Sequence, residues 1–269
     1  MALMQARPTA TGAMMGDTER DNRRRTALVT GAGKTGQVGE AVARAFARAG
    51  WHVILVARAR EEAEARAADI RADGGSCAAY AADLADAAAT TRLAQVIREE
   101  QGAYLDAVVH LAGGWIGGAP VGESAPADWE RAISINLLTA AYTARAFVPH
   151  VRLARGAFVF FASEAVLPGS RVGGMAAYAA AKAGVAAMAR ALAQEERAHG
   201  VRANVLAPGA MRTATNLADM GEVPYVEREE VADAVLWLCS PAASAVSGEV
   251  IRLSAGGRPP DHAAPGEGG

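Results

Sequence analysis

Between positions 26 and 257 the chain alternates short, unbroken apolar runs with stretches of helical periodicity. The runs fall at 26–30, 52–57, 77–82, 105–111, 157–162, 201–206 and 250–253. None of them alternates polar with apolar residues, as a half-exposed strand does. They read instead as strands buried on both faces, the situation of strands in a parallel sheet. The intervening segments keep a helical period. In 40–49, Val42, Phe46 and Ala49 share one face while Arg44 and Arg48 take another, and Gly50 stops the helix. A second helix covers 60–72 and ends before Gly74, and Asp86 caps a third that runs to about Glu100. Pro126 opens a long helix over 126–147, and further helices cover 176–199 and 229–239. Strand–helix alternation of this kind predicts an α/β fold. It is a single-domain, doubly wound parallel sheet of the Rossmann type with about seven strands, helices on both faces and right-handed crossovers.

The flanks differ from this pattern. Residues 1–25 mix Thr, Gly, Met and Pro and end in a polar stretch, which reads as a disordered tail, and 258–269 is a flexible Pro/Gly-rich tail. The N-terminal stretch has no apolar core of a secretion signal, and Asp17, Glu19 and Asp21 count against a transit peptide. No linker interrupts 26–257, so one domain is expected there. An apolar fraction of 51% with 21% charged residues marks a globular chain. A net charge of −2 lacks the basic footprint of a nucleic-acid binder. No run reaches the roughly 20 apolar residues of a membrane helix. Two cysteines, Cys77 and Cys239, suit a reducing compartment, so a cytoplasmic location is expected. The 29 glycines, set against only 5% aromatics, suggest close approach of backbones to one another or to a ligand.

On such sheets ligands bind beyond the carboxyl ends of the strands. The first loop there is Thr30-Gly-Ala-Gly-Lys-Thr-Gly-Gln-Val-Gly39, leading directly into a helix. Gly33-Lys34-Thr35 has the look of a P-loop ending, but that motif needs glycine at position 28, and the chain has Leu28. A strand, glycine loop and helix in this order instead suit a dinucleotide, with its diphosphate at the helix N-terminus. NAD sites often carry an acid at the end of the second strand. Here Arg58 stands there, and with Lys34 in the loop it favours NADP(H) through charge-assisted bonds to a 2′-phosphate.

Further along, Tyr178 and Lys182 lie four residues apart on one helix face. A cation beside the phenol is expected to lower the tyrosine pKa and prepare it for acid/base work. With this pair a recognisable series is complete: the Thr30–Gly39 loop, Asp83-Leu84, Ala112-Gly113, Asn136, Ser163, Tyr178 with Lys182, Pro208-Gly209 with Thr213, and Gly248-Glu-Val-Ile251. In this order the chain resembles the short-chain dehydrogenase/reductase family over 26–257.

The resemblance implies an oxidoreductase that moves hydride between nicotinamide and a small carbonyl or secondary alcohol, with no metal. Tyr178 is then the general acid/base and Ser163 hydrogen-bonds the same oxygen. Lys182 lowers the tyrosine pKa and holds the nicotinamide ribose, and Asn136 positions a water. The implied cofactor contacts are Gly31, Lys34, Gly36, Val38, Gly39, Arg58, Asp83 on adenine, Leu84, Ala112, Gly113, Gly114, Tyr178, Lys182, Pro208, Gly209, Met211 and Thr213. A homotetramer or dimer through the helices at 126–147 and 176–199 is also implied. Three departures stand out. The glycine loop is long, with Gln37 where a glycine is expected. His110 replaces the first Asn of the usual Asn-Asn-Ala-Gly. The Ser163–Tyr178 spacing is stretched by a loop at 169–174 that would flank the substrate.

Ala112-Gly-Gly-Trp115 and Thr213-Ala-Thr-Asn-Leu-Ala-Asp-Met220 resemble the dihydropteridine-reductase-like branch, and they place Trp115 in the substrate pocket. Arg58 and Ser163 depart from that branch. The sequence reading is therefore an NAD(P)H-dependent carbonyl reductase. A dihydropteridine or imine-type reductase and a non-catalytic dinucleotide-binding protein stand as alternatives.

Overall fold

The computed structural model describes residues 23–255, so the tail expectations for 1–22 and 258–269 fall outside the described residues. Seven strands form one sheet: β1 (Thr26–Thr30), β2 (His52–Ala57), β3 (Ser76–Ala81), β4 (Ala107–His110), β5 (Ala157–Phe161), β6 (Arg202–Pro208) and β7 (Val250–Leu253). Their order is β3-β2-β1-β4-β5-β6-β7, and every pairing is parallel. The chain steps from β1 outward to β3, then returns to the other side of β1 with β4. The reversal opens a crevice at the carboxyl ends of β1 and β4, the expected place for a ligand.

The helices are α1 (Val38–Arg48), α2 (Arg60–Ala72), α3 (Ala87–Gln101), α4 (Pro126–Ala132), α5 (Thr139–Ala154), α6 (Ala176–Glu195), α7 (Ala214–Met220) and α8 (Arg228–Cys239). One face of the sheet presents Val29, Leu55, Val109 and Val159 to Val42 and Phe46 of α1 and Val231, Val235 and Leu238 of α8. The other presents Leu28, Ile54, Val108, Phe158 and Phe160 to Leu93 and Ile97 of α3, Phe147 of α5 and Val185 of α6. Strand side chains alternate between the faces, so unbroken apolar runs supply both cores. Truncating one of these phenylalanines to alanine would cost about 3–5 kcal/mol.

Several boundaries match the pattern. Asp86 accepts the backbone N–H groups of Ala88 (2.7 Å) and Ala89 (3.1 Å) as the α3 cap. Pro126 sits in the first turn of α4, and Gly50 and Gly74 take left-handed φ of 82° and 83° at helix exits.

Four expectations need correction. The single helix over 126–147 is interrupted by a π-helical segment, Ile133–Leu138, and then continues to Ala154. The helix over 176–199 ends at Glu195 and closes in a 3-10 turn, Arg197–His199. The segment 213–220, outside every helix expected from the pattern, contains α7, capped by the Thr213 hydroxyl accepting Asn216 N–H at 3.1 Å. A disordered tail through residue 25 runs too far, because Arg23 forms a double hydrogen bond with Asp106 at 2.6 and 2.8 Å. Asp106 also accepts Thr26 N–H at 2.8 Å, so one carboxylate fastens the lead-in to the base of β1.

Candidate active site

A chain of hydrogen bonds starts at the first strand. Thr139 Oγ1 donates to Ile135 O (2.8 Å), so it accepts from His110 Nε2 (3.1 Å). That assigns the His110 proton to Nε2 and leaves Nδ1 to accept from Thr30 Oγ1 (3.1 Å). Thr30 Oγ1 in turn accepts the N–H groups of Leu111 and Ala112, each at 3.2 Å. Every group in the series has a partner and a direction. Burial, with the nearby Lys182 charge adding to it, pushes the His110 pKa down to about 3, so the imidazole is neutral. His110 thus braces β1 against α5 at the start of the glycine loop.

The next turn carries Asn136, which is 1% exposed. Its amide donates to Gly114 O (3.0 Å) and Ala132 O (3.1 Å) and accepts Gly114 N–H (3.1 Å). The π segment provides this inward placement. The side chain expected to position a water is therefore engaged in clamping the Gly113-Gly114 turn. A Cβ on Gly113 would come within 2.6 Å of Asn136 Oδ1 and 3.4 Å of Lys182 Nζ, so only glycine fits there.

Ser163, Tyr178 and Lys182 converge at the end of β5. Ser163 caps the following 3-10 turn by accepting Ala165 N–H at 3.3 Å. Its hydroxyl also meets that of Tyr178, and this contact draws the tyrosine pKa down. Burial outweighs it, and the Tyr178 pKa is raised. The expectation that Lys182 would set a lowered tyrosine pKa is corrected on this point: desolvation dominates and Ser163 supplies the opposing pull. Lys182 is 7% exposed, donates to Phe161 O at 2.9 Å, and lies 5.8 Å from the Tyr178 ring centre. Desolvation of its ammonium lowers its pKa to about 8.

The glycine loop lies beside this cluster. Gly31 takes φ 72°, and a Cβ there would meet Ala112 N at 2.8 Å. Gly39 presses α1 against the loop, where a Cβ would meet Gly31 O at 2.5 Å. The first turn of α1 has no side-chain cap, leaving N–H groups suited to a diphosphate. Lys34 and Arg58 are exposed, and the residues before them meet, a Cβ on Gly33 falling 2.9 Å from Ala57 Cβ, so the two cations stand on adjoining loops at one end of the cleft. The Val38 and Leu84 side chains are buried in the two cores, which leaves only the backbone of these residues for a ligand contact. Asp83 is exposed after β3 and accepts Ala85 N–H at 2.9 Å. Pro208 ends β6, Gly209 N–H bonds Leu253 O at 2.9 Å, Met211 bridges to Val226, and Thr213 is buried as the α7 cap. Trp115 is 62% exposed, and its ring lies against the Gly117 backbone, where a Cβ would come within 2.9 Å of Cζ2. Gly118 N–H bonds Gly174 O at 2.6 Å, joining the Trp115 loop to the 169–174 loop.

Two carboxylates escaped the sequence reading. A Cβ on Gly33 would stand 3.0 Å from Glu62 Oε2, so an acid shares the end of the cleft that holds Lys34 and Arg58. A Cβ on Gly209 would stand 3.3 Å from Glu164 Oε2, which places a second acid next to Ser163. Glu62 opens α2 and Glu164 opens a 3-10 turn, and in sequence both look like ordinary first-turn acids.

The N–H groups of α1, the flanking cations and the glycine contacts at Gly31 and Gly39 fit a dinucleotide. A family model described as short chain dehydrogenase matches residues 25–220. Galactitol 2-dehydrogenase of Rhizobium johnstonii is 31% identical over 244 residues, covering 86% of this chain and 93% of that protein. The 3beta-hydroxysteroid dehydrogenase 1 of Eggerthella lenta is 31% identical over 262 residues, covering 88% and 94%. A solved short-chain type dehydrogenase/reductase from Mycobacterium ulcerans superposes with a TM-score of 0.78 at 28% identity, covering 85% of this chain and 88% of that one. Among the described residues no helix is long and apolar enough to cross a membrane. With its all-parallel seven-stranded sheet and a family model spanning most of its length, the chain belongs to the short-chain dehydrogenase/reductase family of NAD(P)-dependent oxidoreductases.

Proposed function

We propose that this oxidoreductase is an NADP(H)-dependent carbonyl reductase or secondary-alcohol dehydrogenase with Tyr178 as general acid/base. The observation that carries the proposal is the hydroxyl pair of Ser163 and Tyr178 beside the buried Lys182 ammonium. When bound, the nicotinamide supplies or accepts the hydride. Tyr178, its pKa raised by burial, holds its proton at neutral pH and is suited to give it to a carbonyl oxygen. Ser163 Oγ hydrogen-bonds that oxygen as negative charge develops on it. Lys182 keeps a positive charge close to the developing phenolate and replaces its lost hydration. Asn136 holds Gly113-Gly114 in place, and with it the turn that faces the cofactor. Asp83 would bond adenine, and Lys34 and Arg58 would bind the 2′-phosphate. Trp115 stands ready at the mouth as an apolar wall for the substrate. The helices α4–α5 and α6 are the surfaces through which a homo-oligomer would form, a reading that a stable monomer in sedimentation would remove.

The direct test is turnover of NADPH against ketones, oxoacyl compounds and quinonoid dihydropteridine, wild type beside Tyr178→Phe. Equal rates in the two proteins would refute the mechanism. Glu62 favours a second reading, an NADH-preferring pteridine or imine-type reductase, because a carboxylate at Gly33 suits a ribose hydroxyl better than a phosphate. An NADH preference that survives Arg58→Ala would select it.

A further inference from the structure

The glycine loop is longer than the family pattern, and the structure accounts for each residue of its extension. Thr35 Oγ1 accepts from Arg66. Gly36 N–H donates to Glu40 Oε2 at 2.7 Å. The Gly36 carbonyl accepts Ala214 N–H at 3.2 Å. Gln37 Nε2 donates to Thr215 Oγ1 at 3.1 Å. The last two contacts reach from the loop after β1 to the first turn of α7, which follows β6. The left-handed Gly36, at φ 72°, turns the loop so closely on α7 that a Cβ there would lie 3.3 Å from Ala214 Cβ. The α7 side is equally fixed. Thr213 caps the helix, Asn216 Nδ2 donates to Met211 O at 2.8 Å, and Tyr225 OH donates to Gly221 O at 2.5 Å with Asn216 O also within 3.1 Å.

We propose that Gln37 and Thr215 form a clasp that fastens the α7 segment to the glycine loop and slows exchange of the bound dinucleotide. The inference rests on the functional reading above, in which the glycine loop and the segment from Pro208 to Thr213 hold the same cofactor. A ligand held by both segments lies between them, and the bridge joins them directly. Entry and exit therefore require the bridge to part. This gives a purpose to the glutamine that stands in place of a glycine: glycine has no side chain with which to reach Thr215. Gln37 is a positioning residue, since it acts on α7 and not on the reacting atoms.

The test uses Gln37→Leu, Thr215→Val and the double variant of the full chain. Both positions lie at the surface, and circular dichroism checks that each variant folds. One readout is amide hydrogen exchange over 214–220 without ligand, and the other is the dissociation rate of NADPH in stopped-flow displacement. A side-chain hydrogen bond is worth about two- to tenfold in an equilibrium. Each single variant is therefore expected to speed both processes by about that factor, and the double variant by no more than the larger single effect. Unchanged exchange over 214–220, or effects that multiply in the double variant, would overturn the clasp. A wild-type protein that binds neither NADPH nor NADH would instead overturn the functional reading, whatever the exchange over 214–220 shows.

Discussion

Replacing Lys182 with methionine should make the protein more stable at neutral pH while removing its activity. The Nζ is buried and, among the described residues, its one hydrogen bond is to Phe161 O. Its pKa falls from the ordinary 10.5 to about 8 because burial disfavours the charged form. One pKa unit corresponds to about 1.4 kcal/mol, so holding the ammonium in the fold costs about 3 kcal/mol wherever both folded and unfolded chains are protonated. That condition holds below pH 8. Between pH 8 and 10.5 the folded chain binds fewer protons than the unfolded one, so stability rises with pH and the cost fades. By pH 9.5 about 1 kcal/mol remains, a relief of about 2 kcal/mol relative to pH 7. Methionine fills similar space, carries no charge and forfeits about 1 kcal/mol of hydrogen bonding. The variant should therefore exceed wild type by about 2 kcal/mol at pH 7 and roughly equal it at pH 9.5. Tyr80, Cys77 and Cys239, each pushed up to about 12, act in the opposite direction at alkaline pH. They are common to both proteins and cancel in the difference. Urea denaturation of both proteins at the two pH values gives that difference. A gap that stays constant or widens towards pH 9.5 would refute the account of Lys182 as a buried cation held for function at a cost in stability.

The remaining predictions concern the cleft and its brace. Tyr178→Phe should lower kcat by about 10²–10⁴ with no loss of folding, read from steady-state rates with circular dichroism alongside. Arg58→Ala should weaken NADPH binding about tenfold or more and leave NADH little changed. Glu62→Gln should shift the balance the other way, and fluorescence titration of the two cofactors measures both effects. His110→Asn should flatten the acid limb of the stability curve. The neutral His110 contributes stability that is fully present above pH 6.5 and is lost as pH falls towards about 3. At pH 4.5 that loss is about 3 kcal/mol in wild type, and an acid limb equally steep in the variant would sink the assignment.

Much of the fold was legible because burial on both faces leaves an unbroken apolar run, and β1, β2 and β7 begin and end where those runs do. The ends of β3, β4, β5 and β6 were less legible. An apolar residue continues past the last ladder pair of β3, β4 and β5, whereas the β6 ladder runs on to Pro208, beyond its 201–206 run, so pairing, not apolarity, sets where a strand stops. The π segment was hidden for a related reason. The helical pattern runs through 126–147 without a break, and the irregularity comes from a tertiary event, the Asn136 amide reaching Gly114. α7 is only seven residues long, too short for a periodic signal, and it depends on Thr213 and on contacts with the glycine loop. In the candidate site, the residues of the motif series were legible because their spacing is fixed by the fold. Glu62 and Glu164 were not, since an acid in a first turn looks the same whether it faces water or a glycine backbone.

The brace at His110 links these two kinds of information. Thr30 marks the start of the glycine loop and Asn136 the helix that faces Lys182, and in sequence nothing joins them. The hydrogen bonds place His110 between them, with its proton on Nε2 and its Nδ1 accepting from Thr30. That arrangement works only for a neutral ring, because a protonated Nδ1 would turn a donor towards Thr30 and force its hydroxyl to give up either this bond or its own proton's direction. The Lys182 charge helps to keep the ring neutral by lowering the His110 pKa. The same neutrality serves Lys182, whose ammonium, already weakened by burial, has no second cation to oppose it. An asparagine at this position keeps a neutral donor and acceptor but is shorter than the imidazole. The reach from Thr30 to Thr139 is therefore a reason for histidine here, and it ties the geometry of the glycine loop to the helix that carries Asn136.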